Sequence, residues 1–69
     1  MHNGMSGVRI TPRAARISSG YSLEEVANFC GVSTKTIIKY EKNFKHIPLY
    51  LIIMEALLYG ISPNTFLGS

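Results

Sequence analysis

The stretch Ser22 to Asn43 reads SLEEVANFCGVSTKTIIKYEKN, and it decides the fold. Its first half predicts a short helix, because Ser22 followed three residues later by Glu25 makes a capping box. Gly31 ends this helix, since glycine adopts the left-handed cap conformation without steric cost. Apolar residues recur at helical spacing and predict one buried face, which consists of Leu23, Val26, Ala27 and Cys30.

The second half of the stretch predicts another helix after a very short turn. Ser33 is a plausible N-cap, and Ile37 and Tyr40 fall on the inward face. Two helices joined by a tight glycine turn make a helix-turn-helix, whose second helix lies in the DNA major groove. The outward face of that helix is rich in lysine, which suits a polyanion, and consists of Thr34, Lys35, Ile38, Lys39 and Lys42.

The run LEEVANFCGVSTKTIIKYEKN resembles the helix-turn-helix of phage Cro and lambda-repressor-type regulators, the xenobiotic-response-element family. The resemblance includes Gly-Val-Ser at the turn, Tyr-Glu at the end of the second helix, and the tail GISPNTFLG at 60–68. It covers about Thr11 to Gly68. It implies an all-α fold, a small five-helix lambda-repressor-like domain, and a phage or bacterial transcriptional regulator that binds double-stranded operator DNA.

The resemblance also implies which side chains would contact DNA, with a recognition helix over about 33–42. Bases would be read by Thr34, Lys35, Ile38 and Lys39, and phosphates would be held by Ser22, Ser33, Lys42, Lys45 and Arg13. In the alternative interpretation these lysines only keep one helix face solvated. Many members carry a glutamine where this chain has Leu23, so a polar contact is missing. The resemblance also implies a structural role for Glu41 at the close of the second helix, with Arg13 or Arg16 as its candidate partner on the first helix.

Composition limits the other possibilities. Sixty-nine residues suffice for one domain, and 46% hydrophobic with 16% charged residues indicates a globular chain. All seven basic side chains precede His46, and the net charge is +3. A single cysteine, Cys30, is typical of a reducing cytosol, and Met1 to Gly7 shows no secretory signal, so we expect a cytoplasmic protein. The apolar run Ile47 to Leu58, about 12 residues, is too short to span a membrane.

The remaining segments predict a flexible arm over residues 1–8 and a domain over 9–69. Thr11 and Pro12 start a first helix that runs to Ser19, with Ala14, Ile17 and Ile10 inward and Arg13 and Arg16 outward. Pro48 begins a helix, Leu49 to Tyr59, that is apolar on every side apart from Glu55 and two tyrosine hydroxyls. Its core stripe is either Ile52, Ala56 and Tyr59 or Ile53 and Leu57. A final turn carries Phe66 and Leu67 onto the core.

Two hypotheses follow for function. The first is an operator-binding regulator that forms a homodimer, or a complex with another regulator. The second is a protein-binding modulator that keeps the fold and acts on a partner repressor. The interface in either case would use Leu49, Leu51, Met54, Leu58 and Phe66. An enzyme is not expected, since the chain has no aspartate, no glycine-rich phosphate loop and no nucleophile with an evident base. His2 and His46 are isolated, so we expect no metal, no cofactor and no small-molecule substrate.

Overall fold

Five α-helices build the part of the chain that the computed structural model describes, residues 10–67. No strand occurs within these residues, which confirms the all-α prediction. A 3-10 turn, Phe44–His46, follows the third helix. The predicted arm over residues 1–8, together with Arg9, Gly68, Ser69 and the Leu67 side chain, lies outside the described part. The helices are α1 Pro12–Ser19, α2 Leu23–Cys30, α3 Thr34–Lys42, α4 Leu49–Tyr59 and α5 Asn64–Leu67.

Local capping interactions fix where the first two helices begin. The Ala14 amide donates to Thr11 Oγ1 over 3.2 Å, ahead of Pro12 at the first helical position. The Glu25 amide donates to Ser22 Oγ over 3.1 Å, and the Ser22 amide donates back to the Glu25 carboxylate over 2.8 Å. Both donors would otherwise lack a partner at the helix start. The helix boundaries predicted from these caps are confirmed.

The core sits where α2 meets α3 and α4. Val26, Ile37 and Leu51 are fully buried there. Tyr59 lies between Tyr21 and Phe66, with ring centroids 6.0 and 6.3 Å away, and so links α4 to both neighbouring segments. The Ile10 amide donates to the Thr65 carbonyl over 3.3 Å, which joins the two ends of the described chain. The remaining buried apolar residues of this cluster are Ala15, Ala27, Ile52 and Ala56.

Helix α1 is rotated relative to the sequence prediction. Pro12 and Ala15 face the core, whereas Ala14 is exposed and Ile17 keeps 53% of its surface. Arg16, expected outside with Arg13, is half-buried and bonded to Glu41 on α3. The expectation that Ala14, Ile17 and Ile10 point inward is therefore wrong. The physical reason is that the guanidinium of Arg16 must face α3 to reach its partner, and this fixes the rotation of the helix.

The burial of residues on α4 decides which of the two predicted stripes faces the core. Ile52, Ala56 and Tyr59 are buried, while Ile53 and Leu57 remain exposed. Two residues expected on an interface belong to the core instead, since Leu51 is 0% and Phe66 5% exposed. Helices α1 and α2 pack against α4, and α5 folds Phe66 against Tyr59. Leu49 is exposed, and Met54 and Leu58 are half-buried.

Candidate nucleic-acid interface

A three-residue turn, Gly31 to Ser33, joins α2 to α3. Gly31 has φ 71° and ψ 30°, in the left-handed region where a side chain would be strained. The Val32 amide then donates to the Ala27 carbonyl over 3.0 Å, which completes the cap of α2, and Val32 packs against the core. Ser33 Oγ accepts from the Thr36 amide over 3.2 Å and starts α3. The turn therefore sets the angle between the two helices with almost no free chain.

Three lysines share the outward face of α3. Lys35, Lys39 and Lys42 are exposed, and their spacing of four and three residues puts them within about 60° of arc. Ile37, fully buried, lies on roughly the opposite side of the helix. The core contact of Ile37 thus holds this lysine face, as we call these three residues, toward solvent.

The start of α3 presents small side chains beside the lysine face. Thr34 is half-buried, and the Thr36 hydroxyl lies 3.0 Å from Ser33 Oγ. Ile38 is 38% exposed and flanks the lysines.

The Lys39 ammonium lies near an aromatic ring of the same helix. The distance from Nζ to the centroid of the neighbouring Tyr40 ring is 5.2 Å. Such a contact at an exposed site contributes about 0.5 to 1 kcal/mol, and a good pairing with a base contributes about 1 to 3 kcal/mol. The ring contact can therefore orient Lys39 without preventing it from leaving to meet a base.

A family model described as helix-turn-helix matches residues 13–66. The chain belongs to the Cro and lambda-repressor-type helix-turn-helix family. Membership makes it a DNA-binding helix-turn-helix regulator and places it in a regulatory rather than a catalytic family. No curated protein and no solved structure matches the chain significantly.

The start of α2 in this helix-turn-helix differs from the start of α3. Ser22 was predicted to hold a phosphate, but its amide already donates to Glu25, and Glu24 and Glu25 place two exposed carboxylates in the first turn. These carboxylates complement the helix dipole and repel an anion. Ser33 has threonines and Lys35 after it, so α3 offers the better phosphate site. The predicted phosphate contacts of Ser22, Ser33, Arg13, Lys42 and Lys45 stay predictions.

Leu23 stands where many helix-turn-helix relatives carry a glutamine. Its side chain is half-buried and packs against the core cluster. Leu23 therefore contributes to the packing of α2.

The four carboxylates of this helix-turn-helix domain leave the lysine face unopposed. Glu24 and Glu25 are exposed on α2, whereas Glu41 and Glu55 point inward. Glu41 accepts two hydrogen bonds from Arg16, from Nε over 2.7 Å and from a terminal nitrogen over 3.1 Å. The hydrogen bond to Glu41 raises the pKa of Arg16. From the sequence, Arg13 and Arg16 were both possible partners of Glu41, and the structure shows that Arg16 is the partner.

Glu55 on α4 is the feature that sequence reasoning missed. It is 1% exposed, and its only side-chain hydrogen bond within residues 10–67 is a long one, 3.5 Å, from the Tyr59 hydroxyl. Burial, with a smaller effect from the Glu41 charge, raises its pKa from 4.5 to about 7, against the opposing effects of Tyr59 and Arg16. The sequence showed that Glu55 is the one charged residue of an apolar helix, but it did not show that its side chain faces the core.

The buried carboxyl predicts a pH-dependent stability. Below pH 4.5 Glu55 is neutral in both states; between about pH 4.5 and 7 only the folded state keeps the proton, so stability falls as pH rises. We expect wild type to lose on the order of 3 kcal/mol relative to Glu55→Gln between pH 4.5 and 8. Urea unfolding of both proteins at each pH measures this, and parallel pH profiles would contradict it.

The described residues offer no site for a membrane span or for a metal cluster. No helix among them is long and apolar enough to cross a membrane. Nor do residues 10–67 contain a group of three or more His, Cys, Asp or Glu side chains placed to hold a metal ion. Cys30 is half-buried, and burial raises the pKa of its thiol to about 11, so it is a weak nucleophile at neutral pH.

Proposed function

We propose that this chain is a transcriptional regulator that occupies operator DNA with α3 in the major groove. The observation that carries the proposal is the lysine face, three exposed ammonium groups on one side of a helix whose other side is fixed by Ile37. A rigid cationic helix of this kind meets the phosphate charge of duplex DNA and can reach base edges.

The side chains divide between reading bases and holding phosphates. Thr34, Lys35 and Lys39 lie toward the start of α3 and would read base edges, with Ile38 against a thymine methyl. Lys42 at the end of α3 and Lys45 in the 3-10 turn are both exposed and would hold phosphates. The remaining predicted phosphate contacts are the exposed Arg13, the Ser33 helix start and, least favoured by charge, Ser22.

The test is a titration of labelled duplex DNA at several salt concentrations, followed by fluorescence anisotropy. We expect the logarithm of the affinity to fall linearly with the logarithm of salt concentration. Lys39→Ala and Lys42→Ala should each flatten that slope by about one unit. Each substitution removes one positive charge that releases counterions from the duplex on binding. Lys39→Ala should also change the preference among duplex sequences, whereas Lys42→Ala should weaken all of them alike.

Lys39→Arg is the matched control, since it keeps the charge and should keep the salt slope. Glu24→Gln removes an exposed carboxylate from the start of α2 and should strengthen duplex binding slightly. Two results would rule out the proposed role of the lysine face. One is an affinity for duplex DNA that does not depend on salt concentration at low ionic strength, and the other is an affinity that is unchanged in Lys39→Ala and Lys42→Ala.

A second candidate function has one observation in its favour. A protein-binding modulator would keep the helix-turn-helix and dock on a partner regulator, and α4 exposes the apolar side chains that such docking needs. The two functions differ in the salt titration. A modulator that does not bind DNA itself would show no salt-sensitive affinity for any duplex, while the operator-binding regulator would show it for all of them.

A further inference from the structure

The polar side chains on the outward side of α3 are ammonium donors and hydroxyls. The structure describes all of α3, and Lys35, Lys39 and Lys42 are exposed on it, each with a group that donates and cannot accept. The helix contains no asparagine or glutamine. Its one carboxylate, Glu41, is 6% exposed, and both oxygens of Glu41 accept from Arg16. The helix therefore faces a ligand with almost no free hydrogen-bond acceptor.

The small side chains at the start of α3 add methyl groups to this surface. Ser33 Oγ accepts from the Thr36 amide over 3.2 Å and lies 3.0 Å from the Thr36 hydroxyl, so these two hydroxyls are paired with each other. Thr34 is half-buried and supplies one hydroxyl and one methyl group. Ile38 is 38% exposed and is purely apolar. At close range α3 thus offers mainly ammonium donors and methyl groups.

The four bases present different edges to such a surface in the major groove. Guanine shows two acceptors, O6 and N7, and thymine shows an acceptor and a methyl group. Adenine carries an amino donor beside its acceptor, and cytosine shows an amino donor. An amino group that faces an ammonium finds no acceptor, and leaving a desolvated polar group unpaired costs free energy. Donors and methyl groups therefore favour guanine and thymine over adenine and cytosine.

The spacing of the lysines on α3 limits where their bases lie. Lys35 and Lys39 are one turn apart on the same side of the helix, about 6 Å along its axis. Successive base pairs are about 3.4 Å apart, so two bases read by this pair are separated by about two steps. Ile38 precedes Lys39 in the chain and places its side chain at the edge of the same surface. The core contact of Ile37 keeps this arrangement fixed relative to the domain.

We propose that the DNA recognised by α3 carries two guanines about two base-pair steps apart, read by Lys35 and Lys39, and a neighbouring thymine whose methyl group packs on Ile38. The proposal rests on the proposed operator binding and adds to it the identity of the bases. Lys42, at the end of α3, contacts a phosphate and does not select a base.

The experiment selects duplexes that bind the purified full chain from a pool with about ten randomised base pairs, one turn of DNA. Sequencing of the bound fraction should show two enriched guanines on one strand and an enriched thymine beside one of them. Replacing either guanine with adenine in a selected duplex should weaken binding about fivefold or more. Replacing the thymine with uracil removes only the methyl group and should weaken binding about threefold in wild type, but not in Ile38→Ala.

Lys39→Gln is the decisive variant, because a carboxamide pairs with adenine N6 and N7 as a lysine pairs with guanine O6 and N7. Selection with this variant should replace one guanine with adenine and leave the other guanine unchanged. Lys42→Gln is the matched control, since it removes the same charge from the same helix. It should lower the affinity for duplex DNA and leave every selected base as in wild type. Far-UV circular dichroism confirms that each variant is folded.

Three results would count against the proposal in different ways. Salt-dependent duplex binding without any selected base, or with the same bases selected by wild type and Lys39→Gln, would overturn the proposal and leave DNA binding itself standing. A uracil substitution that weakens wild type and Ile38→Ala equally would overturn the thymine contact of Ile38. A chain without salt-dependent affinity for any duplex would overturn the proposed function, and this inference with it.

Discussion

Leu51→Lys should prevent folding altogether, whereas Leu57→Lys in the same helix should leave the fold intact. Leu51 is fully buried between α4 and its neighbours, and Leu57 keeps 69% of its surface. The substitution at Leu51 removes buried apolar area and places an ammonium at a position that is 0% exposed to water. Burying an unpaired charge costs many kcal/mol, and a domain of this size has only about 3 to 10 kcal/mol of stability.

Circular dichroism and urea unfolding of the two variants measure this difference. Leu51→Lys should show little helical signal at 25 °C and no cooperative transition. Leu57→Lys should retain the wild-type helical signal, and its urea midpoint should change little. A cooperatively folded Leu51→Lys would show that α4 can turn its other side toward α1 and α2, and the assignment of buried and exposed residues on α4 would then be wrong.

Arg16→Ala should destabilise the domain by about 3 to 5 kcal/mol, because it strands a buried carboxylate. The side chains of Arg16 and Glu41 are 12 and 6% exposed, and the guanidinium also donates to the Tyr21 carbonyl over 3.1 Å. One residue thus ties α1 to α3 and to the segment before α2. Its removal leaves Glu41 without its cation and the Tyr21 carbonyl without this donor.

Arg13→Ala is the matched control for Arg16→Ala. Both residues lie on α1 and carry the same charge, but Arg13 is exposed, so its loss should cost no more than about 0.5 kcal/mol. Urea midpoints of the two variants give the comparison. Equal midpoints would mean that the pair with Glu41 contributes nothing beyond a surface ion pair, and the account of the rotation of α1 would have to change.

The helix boundaries were predictable from sequence because the signals for them are local. Thr11, Ser22 and Ser33 each accept a hydrogen bond from an amide three residues later, and Gly31 adopts a positive φ. These interactions need no distant part of the chain. The lysine face was also predictable, since helical spacing alone groups Lys35, Lys39 and Lys42 once α3 is located.

The faces that α1 and α4 present were not predictable, because their sequences fit several rotations. Ala14 and Ile17 are apolar and still lie outside, since the Arg16 pair with Glu41 fixes α1. In α4 nearly every position is apolar, so periodicity could not distinguish core from surface. To tell the buried side of α4 from the exposed side, one needs to know which helices pack against it. The only hint in the sequence of α4 was its single charged residue, Glu55.

The sequence by itself determined where the helices begin and end, that they form a helix-turn-helix, and that the second helix of this motif is cationic. Capping and spacing are short-range effects that neighbouring residues specify. Only the tertiary structure decided that Glu55 and Arg16 face inward and that Leu49, Tyr50, Ile53 and Leu57 face outward. Burial is a property of the whole packed chain, because the free energy of covering one side of a helix depends on which other helices are there to cover it.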